Sequence, residues 1–413
     1  MGRLMPHLPP SVSFIIDRLE SQGFEAHVVG GCVRDALMEI IPHDWDICTS
    51  ALPDQIIEVF SDQKIVPTGL KHGTVSVIIN SVPYEITTYR IDGEYKDNRH
   101  PENVEFVSDI KSDLMRRDFT VNAIAYNPGY GLIDPFGGFA DIQDRVIRCV
   151  GDPNKRFQED ALRVLRAIRF SIKYKLKIEQ LTLNSLYLNS PLLRNISAER
   201  ISSEIIKMLS NTVVSQTDLD SITALSHCLC LIDKRIMFLG NDLIDTSPNL
   251  PLRLAIIFNS DEIVDIMKKL RFSNNMIAEA SEIRKLGNEI LKDIDGLNDS
   301  SSLLYYSRNL LKKTQKSETC YAVEFAKQFV VTERSRKVLD SLLESIGECL
   351  ARNDAYKISS LAITGYDLQK IGYSGIEIGS TLDKLLDMVM QDLIENTHES
   401  LINKAQTLKT QIE

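Results

Sequence analysis

The first 150 residues alternate between two hydrophobic periods, which predicts helices and strands in turn. Apolar residues recur at helical spacing over residues 12–19 and predict a helix there. Pro53 near the start of residues 52–55 predicts a second, short helix. Runs with strand character lie at residues 26–29, 44–48, 73–79 and 82–89. Only Asn80 and Ser81 separate the last two, so they are expected to form a hairpin within a small mixed sheet.

From about residue 151 the strand period stops and only helical patterns remain. Ser197 is a good N-cap for a helix whose apolar stripe is Ile201, Ile205, Met208 and Leu209. No fixed-period repeat is present, which argues against a solenoid. The predicted fold class is therefore α+β, with an N-terminal head built on a small sheet and an all-helical remainder.

Composition excludes several classes of protein without naming a function. The chain has 413 residues, 43% hydrophobic and 25% charged, which is typical of globular domains rather than disordered or collagen-like chains. No apolar stretch approaches the ~20 residues that cross a bilayer. The seven cysteines contain no C-x-x-C pair, and Cys228 and Cys230 lack the second pair that a zinc site needs. We expect a soluble, cytoplasmic protein with reduced thiols and no membrane partner.

Charge is distributed unevenly along the chain. The net charge of −10 argues against broad, non-specific binding of nucleic acid. Residues 151–210, however, contain eleven basic and six acidic residues. This basic centre is compatible with a polyanion held at one place.

A glycine pair follows the predicted strand at residues 26–29. Gly30 and Gly31 allow the backbone to approach a ligand closely, and Arg34 lies one turn into the helix that follows. Such a turn favours a phosphate group. A purely structural strand-to-helix turn is the alternative.

Two carboxylates, Asp44 and Asp46, are spaced to point to the same face of a strand. Like charges this close are costly unless a cation neutralises them, and hard oxygen ligands select Mg²⁺. The alternative is an ordinary solvated strand face. A third carboxylate would be needed to bridge two metals, with Glu85 as the candidate and Asp118 as its competitor.

Two further segments carry arginines beside acids. Residues 116–123 read Arg-Arg-Asp-Phe-Thr-Val-Asn-Ala, in which Arg117 and its neighbours suit contacts to a triphosphate or sugar, although a charged loop is the alternative. In residues 159–170, four charged residues three apart form a ridge beside a buried edge, namely Asp160, Arg163, Arg166 and Arg169. A solvated face with an intrahelical ion pair is the other reading.

In this order, the motifs G-G-x-V-R-D, D-x-D, R-R-D-F-T, D-P-F-G-G and E-D-x-x-R-x-x-R closely resemble the class II tRNA nucleotidyltransferase and bacterial poly(A) polymerase family, within the polymerase-β superfamily. The similarity covers residues 26–170 densely and resumes at residues 197–200 and 363–386. It implies a polymerase-β-like head, a helical neck for base recognition, a helical body and a tRNA-binding tail. The corresponding boundaries are 1–148, 149–214, 215–335 and 336–413.

The resemblance also implies a role for each candidate residue. Asp44 and Asp46 would hold two Mg²⁺ ions, while Gly30, Gly31 and Arg34 would meet the triphosphate. The residues implied for the nucleotide and nearby RNA are Arg117, Asp160, Arg163, Arg166 and Arg169.

The implied base-reading pair, Asp160 and Arg163, can be checked by chemistry. C and A each present an amino donor beside an unprotonated ring nitrogen, whereas G and U present a carbonyl beside an N–H. A carboxylate and a guanidinium therefore accept CTP and ATP and reject GTP and UTP without a template.

Within the family, the expected activity is addition of C, C and A to tRNA 3′ ends from CTP and ATP. Residues 91–101 resemble the flexible loop of members that add A, although a plain connecting loop is possible. The long insertion and basic C-terminal extension typical of poly(A) polymerases are absent from the sequence. An A-adding enzyme or poly(A) polymerase, and from another class a catalytically inactive tRNA-binding protein, remain the alternatives.

Overall fold

The computed structural model describes residues 7–67, 69–93, 104–297, 299–314 and 316–410. The chain divides into two compact units. The first comprises Met1–Pro248 and Lys269–Phe272, and the second comprises Asn249–Lys268 and Ser273–Glu413. The predicted boundaries at 148 and 214 fall inside the first unit and the one at 335 inside the second, so the finer division into four parts stays a prediction.

The head of the first unit contains a seven-stranded mixed sheet in the order β3-β4-β5-β2-β1-β8-β9. The pairing of β2 with β5 is parallel and the other pairings are antiparallel. A separate antiparallel pair, β6 and β7, flanks residues 93–103. The strands are β1 Ala26–Val29, β2 Ile47–Thr49, β3 Lys64–Val66, β4 Thr74–Ile79, β5 Val82–Thr88, β6 Arg90–Asp92, β7 Val104–Phe106, β8 Ala125–Asn127, β9 Gly131–Ile133, β10 Val146–Ile147 and β11 Lys177–Ile178.

The predicted hairpin is confirmed. β4 and β5 pair from Ile79 and Val82 outward, and the two residues between them, Asn80 and Ser81, have φ values of 51° and 67°. Positive φ at both positions matches the right-handed twist of the flanking strands.

The predicted strand at residues 44–48 is wrong in its first half. β2 begins only at Ile47, so Asp44 and Asp46 lie in the segment leading into it. The cause lies in the neighbouring strand. On the β1 side, the Val29 amide bonds to the Asp46 carbonyl and the chain then turns away at Gly30, so β1 does not continue the ladder beyond this bond.

The helices of the first unit surround this sheet and continue beyond it. α7 buries Leu162, Leu165 and Ile168, as predicted. α9 follows Ser197 and buries the predicted stripe, but the Ser197 side chain makes no capping hydrogen bond. The helices are α1 Pro10–Ser21, α2 Gly31–Leu37, α3 Pro53–Val59, α4 Ile110–Met115, α5 Gly138–Gln143, α6 Pro153–Glu159, α7 Leu162–Tyr174, α8 Gln180–Asn189, α9 Ala198–Leu209 and α10 Leu219–Ile232.

The prediction that strands stop after residue 151 is wrong at one place. β11 pairs in parallel with β10, and the bond from the Lys177 amide to the Arg145 carbonyl extends this pairing. Two residues are too few to leave an alternating pattern in the sequence, so the strand carried no periodic signal.

The described part of the second unit is helical. One core is formed by α13 to α16 around Leu286, Leu310 and Leu342, and another by α17 to α19 around Leu385 and Leu401. Among the described residues, no helix has the length and apolar character required to span a membrane. The helices are α11 Leu250–Ile257, α12 Ile263–Lys269, α13 Asn274–Asp293, α14 Ser300–Lys313, α15 Lys316–Phe329, α16 Glu333–Ala351, α17 Gly365–Lys370, α18 Ile376–Met390 and α19 His398–Thr410.

Candidate active site

A polar cavity of about 770 Å³ lies in the first unit, within the size range of small-molecule sites. It brings together residues that are far apart in the sequence, from the glycine turn to α9. Eleven of the predicted site residues line it, namely Gly30, Gly31, Arg34, Asp44, Asp46, Arg117, Asp118, Asp160, Arg163, Arg166 and Arg169.

The glycine turn is required by a close contact as well as by its backbone conformation. Gly30 has φ +81°, and a Cβ at this position would lie 2.9 Å from an Arg117 guanidinium nitrogen. Any side chain here would therefore strain the turn and displace Arg117.

Arg34 is buried and oriented from several directions. Its guanidinium donates to the Asn122 side-chain oxygen at 2.5 Å, to the Tyr174 hydroxyl at 2.5 Å and to Asp35. It also lies 4.2 Å from the centroid of the Tyr174 ring. Asn122 therefore links Arg34 to Asp118, because its amide nitrogen donates to the Asp118 carboxylate. Tyr174 was not predicted, although its spacing of four residues from Phe170 on the arginine-rich helix is a usable signal.

The neighbouring residues Arg116 and Arg117 are held by a buried acid, Asp113, which was not predicted from the sequence. Asp113 on α4 accepts from Arg116 at 2.8 Å and from Arg117 at 3.2 Å. Burial alone would raise the pKa of Asp113, but Arg117 and Arg116 lower it below the ordinary value. The spacings i,i+3 and i,i+4 from Asp113 to the two arginines that directly follow α4 were the available signal.

Asp118 is saturated by protein donors. One carboxylate oxygen accepts from the Asn122 amide at 3.0 Å and the Phe119 backbone at 2.8 Å, and the other accepts two bonds from Arg166 at 2.6 and 2.8 Å. Burial opposes ionisation, yet the charge of Arg166 and these bonds hold the pKa of Asp118 far below its usual range. Asp118 thus fixes Arg166 against the head.

Asp160 and Arg163 lie at the start of α7, and each has separate partners. Asp160 precedes the helix, accepts from the Leu162 amide at 3.1 Å and pairs with Arg200 of α9 at 2.9 Å. Arg163 donates to Glu159 and to the backbone carbonyls of Arg156 and Arg116. These bonds use three of the five guanidinium N–H groups of Arg163, and both residues line the cavity.

Arg169, the last arginine of the ridge, forms an ion pair with the buried Glu204 of α9 at 2.8 Å. Burial lowers the pKa of Arg169, and Glu204 opposes this effect. The ridge is therefore not a solvated face, because Arg166 and Arg169 tie α7 to the head and to α9, respectively.

Asp44 and Asp46 differ from the paired carboxylates Asp113, Asp118 and Asp160. Both are exposed to the cavity, and neither has a side-chain hydrogen bond or ion pair with any described residue. The pKa of Asp46 lies above its ordinary value. Desolvation by the surrounding protein raises it, Arg117 opposes this effect, and the charge of Asp44 adds to it. Two unpaired carboxylates provide the hard oxygen donors that a divalent cation requires, so these residues fit a metal. No group of three or more potential ligands occurs among the described residues.

Glu85 lies in β5, is exposed, and is not among the residues that line the cavity. Ile86 pairs in register with Ile47 of β2. Glu85 and Asp46, each one residue earlier, therefore lie at the same level of adjacent chains. The assignment of Glu85 as a third carboxylate stays a prediction.

Comparison with known proteins identifies the family. Residues 26–148 match the model of the poly A polymerase head domain, and residues 175–217 match the model of a probable RNA and SrmB-binding site of polymerase A. The CCA-adding enzyme of Pediococcus pentosaceus is 33% identical over 411 residues, covering 98% of this chain and 99% of the relative. That of Enterococcus faecalis is 33% identical over 407 residues, covering 95% and 94%. The chain belongs to the CCA-adding enzyme family.

The fold agrees with this assignment. The structure of the Bacillus stearothermophilus CCA-adding enzyme in complex with CTP matches with a TM-score of 0.72 at 26% identity, covering 98% of this chain and 99% of that one. The predicted α+β class and the resemblance to nucleotidyltransferases are confirmed. As a member of the CCA-adding enzyme family the chain is a nucleotidyltransferase, and this class of enzyme depends on divalent metal ions.

The polar segment after β5 is described only at its two ends. Most of the segment 91–101, predicted to resemble the loop of CCA- and A-adding members of the family, lies outside the described residues. Its flanks are described, and Ile91 of β6 pairs with Glu105 of β7. The connection thus leaves and returns on neighbouring strands.

Proposed function

We propose that this chain adds C, C and A in turn to the 3′ ends of tRNA, using CTP and ATP and releasing pyrophosphate. The observation that carries the proposal is that Asp160 and Arg163 share one cavity with Asp44 and Asp46. A carboxylate acceptor and a guanidinium donor suit the Watson–Crick edges of C and A. The pair that selects the base therefore lies beside the pair that fits a metal.

Protein side chains replace a nucleic-acid template in this proposal. Arg163 keeps N–H donors beyond its three protein bonds, and Asp160 keeps lone pairs beyond its two. The amino group of C or A donates to Asp160, and the adjacent ring nitrogen accepts from Arg163. G and U would oppose acceptor to acceptor and donor to donor, which costs the desolvation of each unpaired group.

Asp44 and Asp46 are the residues that would hold Mg²⁺. When bound, the metal would supply charge neutralisation of the triphosphate and a lowered pKa of the RNA 3′-hydroxyl. The protein's part is to leave these two carboxylates unpaired while Asp113 and Asp118 are already matched by arginines. Because Asp118 has both oxygens occupied by protein donors, Glu85 is the better candidate for a third acidic group.

The remaining predicted residues would receive the phosphates. Gly31, Arg34 and Arg117 lie around the glycine turn and would contact the triphosphate, with Gly30 allowing Arg117 to approach the backbone. Arg166 and Arg169 would contribute positive potential more than direct contacts, since their acids already pair with them. The helical region after the head would hold the acceptor and T arms of tRNA, and the seven unbridged cysteines suit action in the cytoplasm.

The deciding experiment offers CTP, ATP or both to three tRNA transcripts, ending at the discriminator base, at C and at C-C. Completion of the first to C-C-A is expected. Extension of only the C-C transcript, and only by ATP, would instead make the protein an A-adding enzyme. Long A tails would make it a poly(A) polymerase, and no extension with any nucleotide would leave a tRNA-binding protein.

Base selection is tested separately with Asp160→Ala. We expect the preference for CTP over UTP to fall by about 10- to 100-fold, because the acceptor for the amino group is lost. The metal and phosphate contacts remain, so binding of the triphosphate should change little. An equal loss with all four nucleotides would contradict the assigned role.

A further inference from the structure

α9 places a cation against the carboxylate that is proposed to read the base. Arg200 lies in the first turn of this helix, and its guanidinium pairs with Asp160 at 2.9 Å. The side chains of Arg200 and Asp160 are only 24% and 18% exposed, so solvent screens the pair weakly. Arg200 also lines the cavity.

The two oxygens of Asp160 are held by different groups. Oδ1 accepts from the Leu162 backbone amide and Oδ2 accepts from Arg200. The first bond fixes only one end of the carboxylate, and rotation about the terminal side-chain bond is soft. Arg200 is therefore the contact that sets the plane of the carboxylate and the direction of its free lone pairs.

Nearby arginines do not share this task. Arg163 bonds to Glu159 and two backbone carbonyls, and Arg166 bonds to Asp118. Within the described part of the chain, Arg200 is the sole cation within ion-pair distance of Asp160. Asp160 does interact electrostatically with Arg166, so without Arg200 it would be drawn toward the neighbouring arginines.

Arg200 is itself held in place by the packing of α9. The helix buries Ile201, Ile205 and Met208, and one turn after Arg200 its Glu204 pairs with Arg169 of α7. Two ion pairs therefore join α9 to the α6–α7 segment. In one pair α9 supplies the arginine, and in the other it supplies the carboxylate. One pair orients the base-reading acid, and the other keeps the two helices in register.

We propose that Arg200 is a positioning residue for nucleotide specificity, which orients the Asp160 carboxylate to accept the amino group of the incoming base. The inference rests on the proposed function and extends it to a residue of α9. It predicts that Arg200 affects which nucleotide is selected and acts through Asp160.

The test is a double-mutant cycle on the full chain with Arg200→Met, Asp160→Asn and the two combined. For each protein, the ratio of kcat/KM for CTP over UTP is measured on a tRNA transcript ending at the discriminator base. Dissociation constants for both nucleotides are measured in parallel, because they do not depend on turnover. Arg200→Lys tests rescue by a shorter cation. Glu199→Gln is the matched control, since Glu199 is the preceding residue, is 67% exposed and faces Arg271 instead.

Arg200→Met is expected to lower the CTP preference at least tenfold, with Arg200→Lys in between and Glu199→Gln within twofold of the wild type. In the Asp160→Asn background, Arg200→Met should cause no further loss, because its effect passes through the carboxylate. An unchanged preference in Arg200→Met, or additive losses in the double variant, would overturn the inference. A wild-type protein with no preference for CTP over UTP would overturn the proposed function instead.

Discussion

The carboxylates discussed above fall into two sets with opposite kinds of partner. In the first set, Asp113, Asp118 and Asp160 each pair with arginine, and we call this set the arginine side. In the second set, Asp44 and Asp46 lie two residues apart with no cationic partner within ion-pair distance among the described residues, and we call this set the carboxylate side. All of these residues except Asp113 line the same cavity, so general acidity of the region does not explain the difference.

The difference separates carboxylates that stabilise the fold from carboxylates that are available to bind a ligand. A buried carboxylate paired with arginine stabilises the fold only while both partners remain, because loss of either leaves a buried charge. An unpaired pair of carboxylates destabilises the protein until a cation arrives, which is typical of a site kept for function. The paired acids therefore hold the arginines in position, and the unpaired acids remain available to a metal.

The largest expected effect is on the carboxylate side. Asp46→Ala should lower turnover with every nucleotide by at least about 10³-fold, since half of the metal-binding pair is lost. Nucleotide addition to a tRNA transcript at saturating Mg²⁺ measures this effect. Normal turnover under these conditions would remove Asp46 from the metal site and end the contrast between the two sides.

The arginine side should respond in stability. Asp113→Asn leaves Arg117 without its buried counter-charge and Arg116 with only the longer ion pair to Asp92 at 3.8 Å. It should lower the free energy of unfolding of the head by about 3–5 kcal/mol. Urea unfolding followed by the fluorescence of Trp45, the single tryptophan, reports on this region. Asp144→Asn is the control, because Asp144 is exposed and should change stability by less than about 0.5 kcal/mol. Similar stabilities of the two variants would show that Asp113 is not an anchor.

The sequence predicted which residues belong to the site better than it predicted which of them form ion pairs with one another. Local patterns placed Asp44, Asp46, Asp160 and Arg163 in motifs, and the structure brings these motifs into one cavity. Which acid pairs with which arginine depends on contacts between distant segments, such as Asp118 with Arg166, 48 positions apart. Hydrophobic period and capping signals contain no information on such contacts.

Errors in the predicted elements have a similar origin. The strand predicted at residues 44–48 was too long at its start, because its pairing with β1 begins only at the level where β1 ends in the turn at Gly30. β11 was missed because a two-residue strand exists only through its partner. Elements defined by their own periodicity, such as α7, were predicted correctly.

His27 is a buried base without a carboxylate partner among the described residues, and it makes the stability of the head depend on pH. His27 is buried beside the Tyr89 hydroxyl at 2.7 Å, and burial lowers its pKa from 6.5 to about 4. Because the folded state disfavours protonation, the stability from neutral His27 is complete above pH 6.5 and is lost as pH falls toward 4. Between pH 7 and 5.5 the loss should be about 1.2 kcal/mol.

The measurement compares urea unfolding of the wild type and His27→Gln across this range. Carboxylates titrate in both proteins, so the difference between the two curves isolates His27. We expect the free-energy difference to change by the stated amount, with the wild type losing more on acidification. Parallel curves would show that His27 accepts a proton in the folded head as easily as in the unfolded chain.

The smallest effect is the sharpest test of the contrast, because its sign is opposite to that of Asp113→Asn. Asp46→Asn keeps the shape of the side chain and removes one of two like charges, so the apo head should become slightly more stable. We expect a rise of about 1 °C in the unfolding temperature with a chelator present, corresponding to a few tenths of a kcal/mol. Adding Mg²⁺ should stabilise the wild type and leave the variant nearly unchanged, because only the wild type keeps both ligands. A variant that is less stable than the wild type with chelator would mean that Asp46 has a structural partner, and the two sets of carboxylates would then follow the same rule.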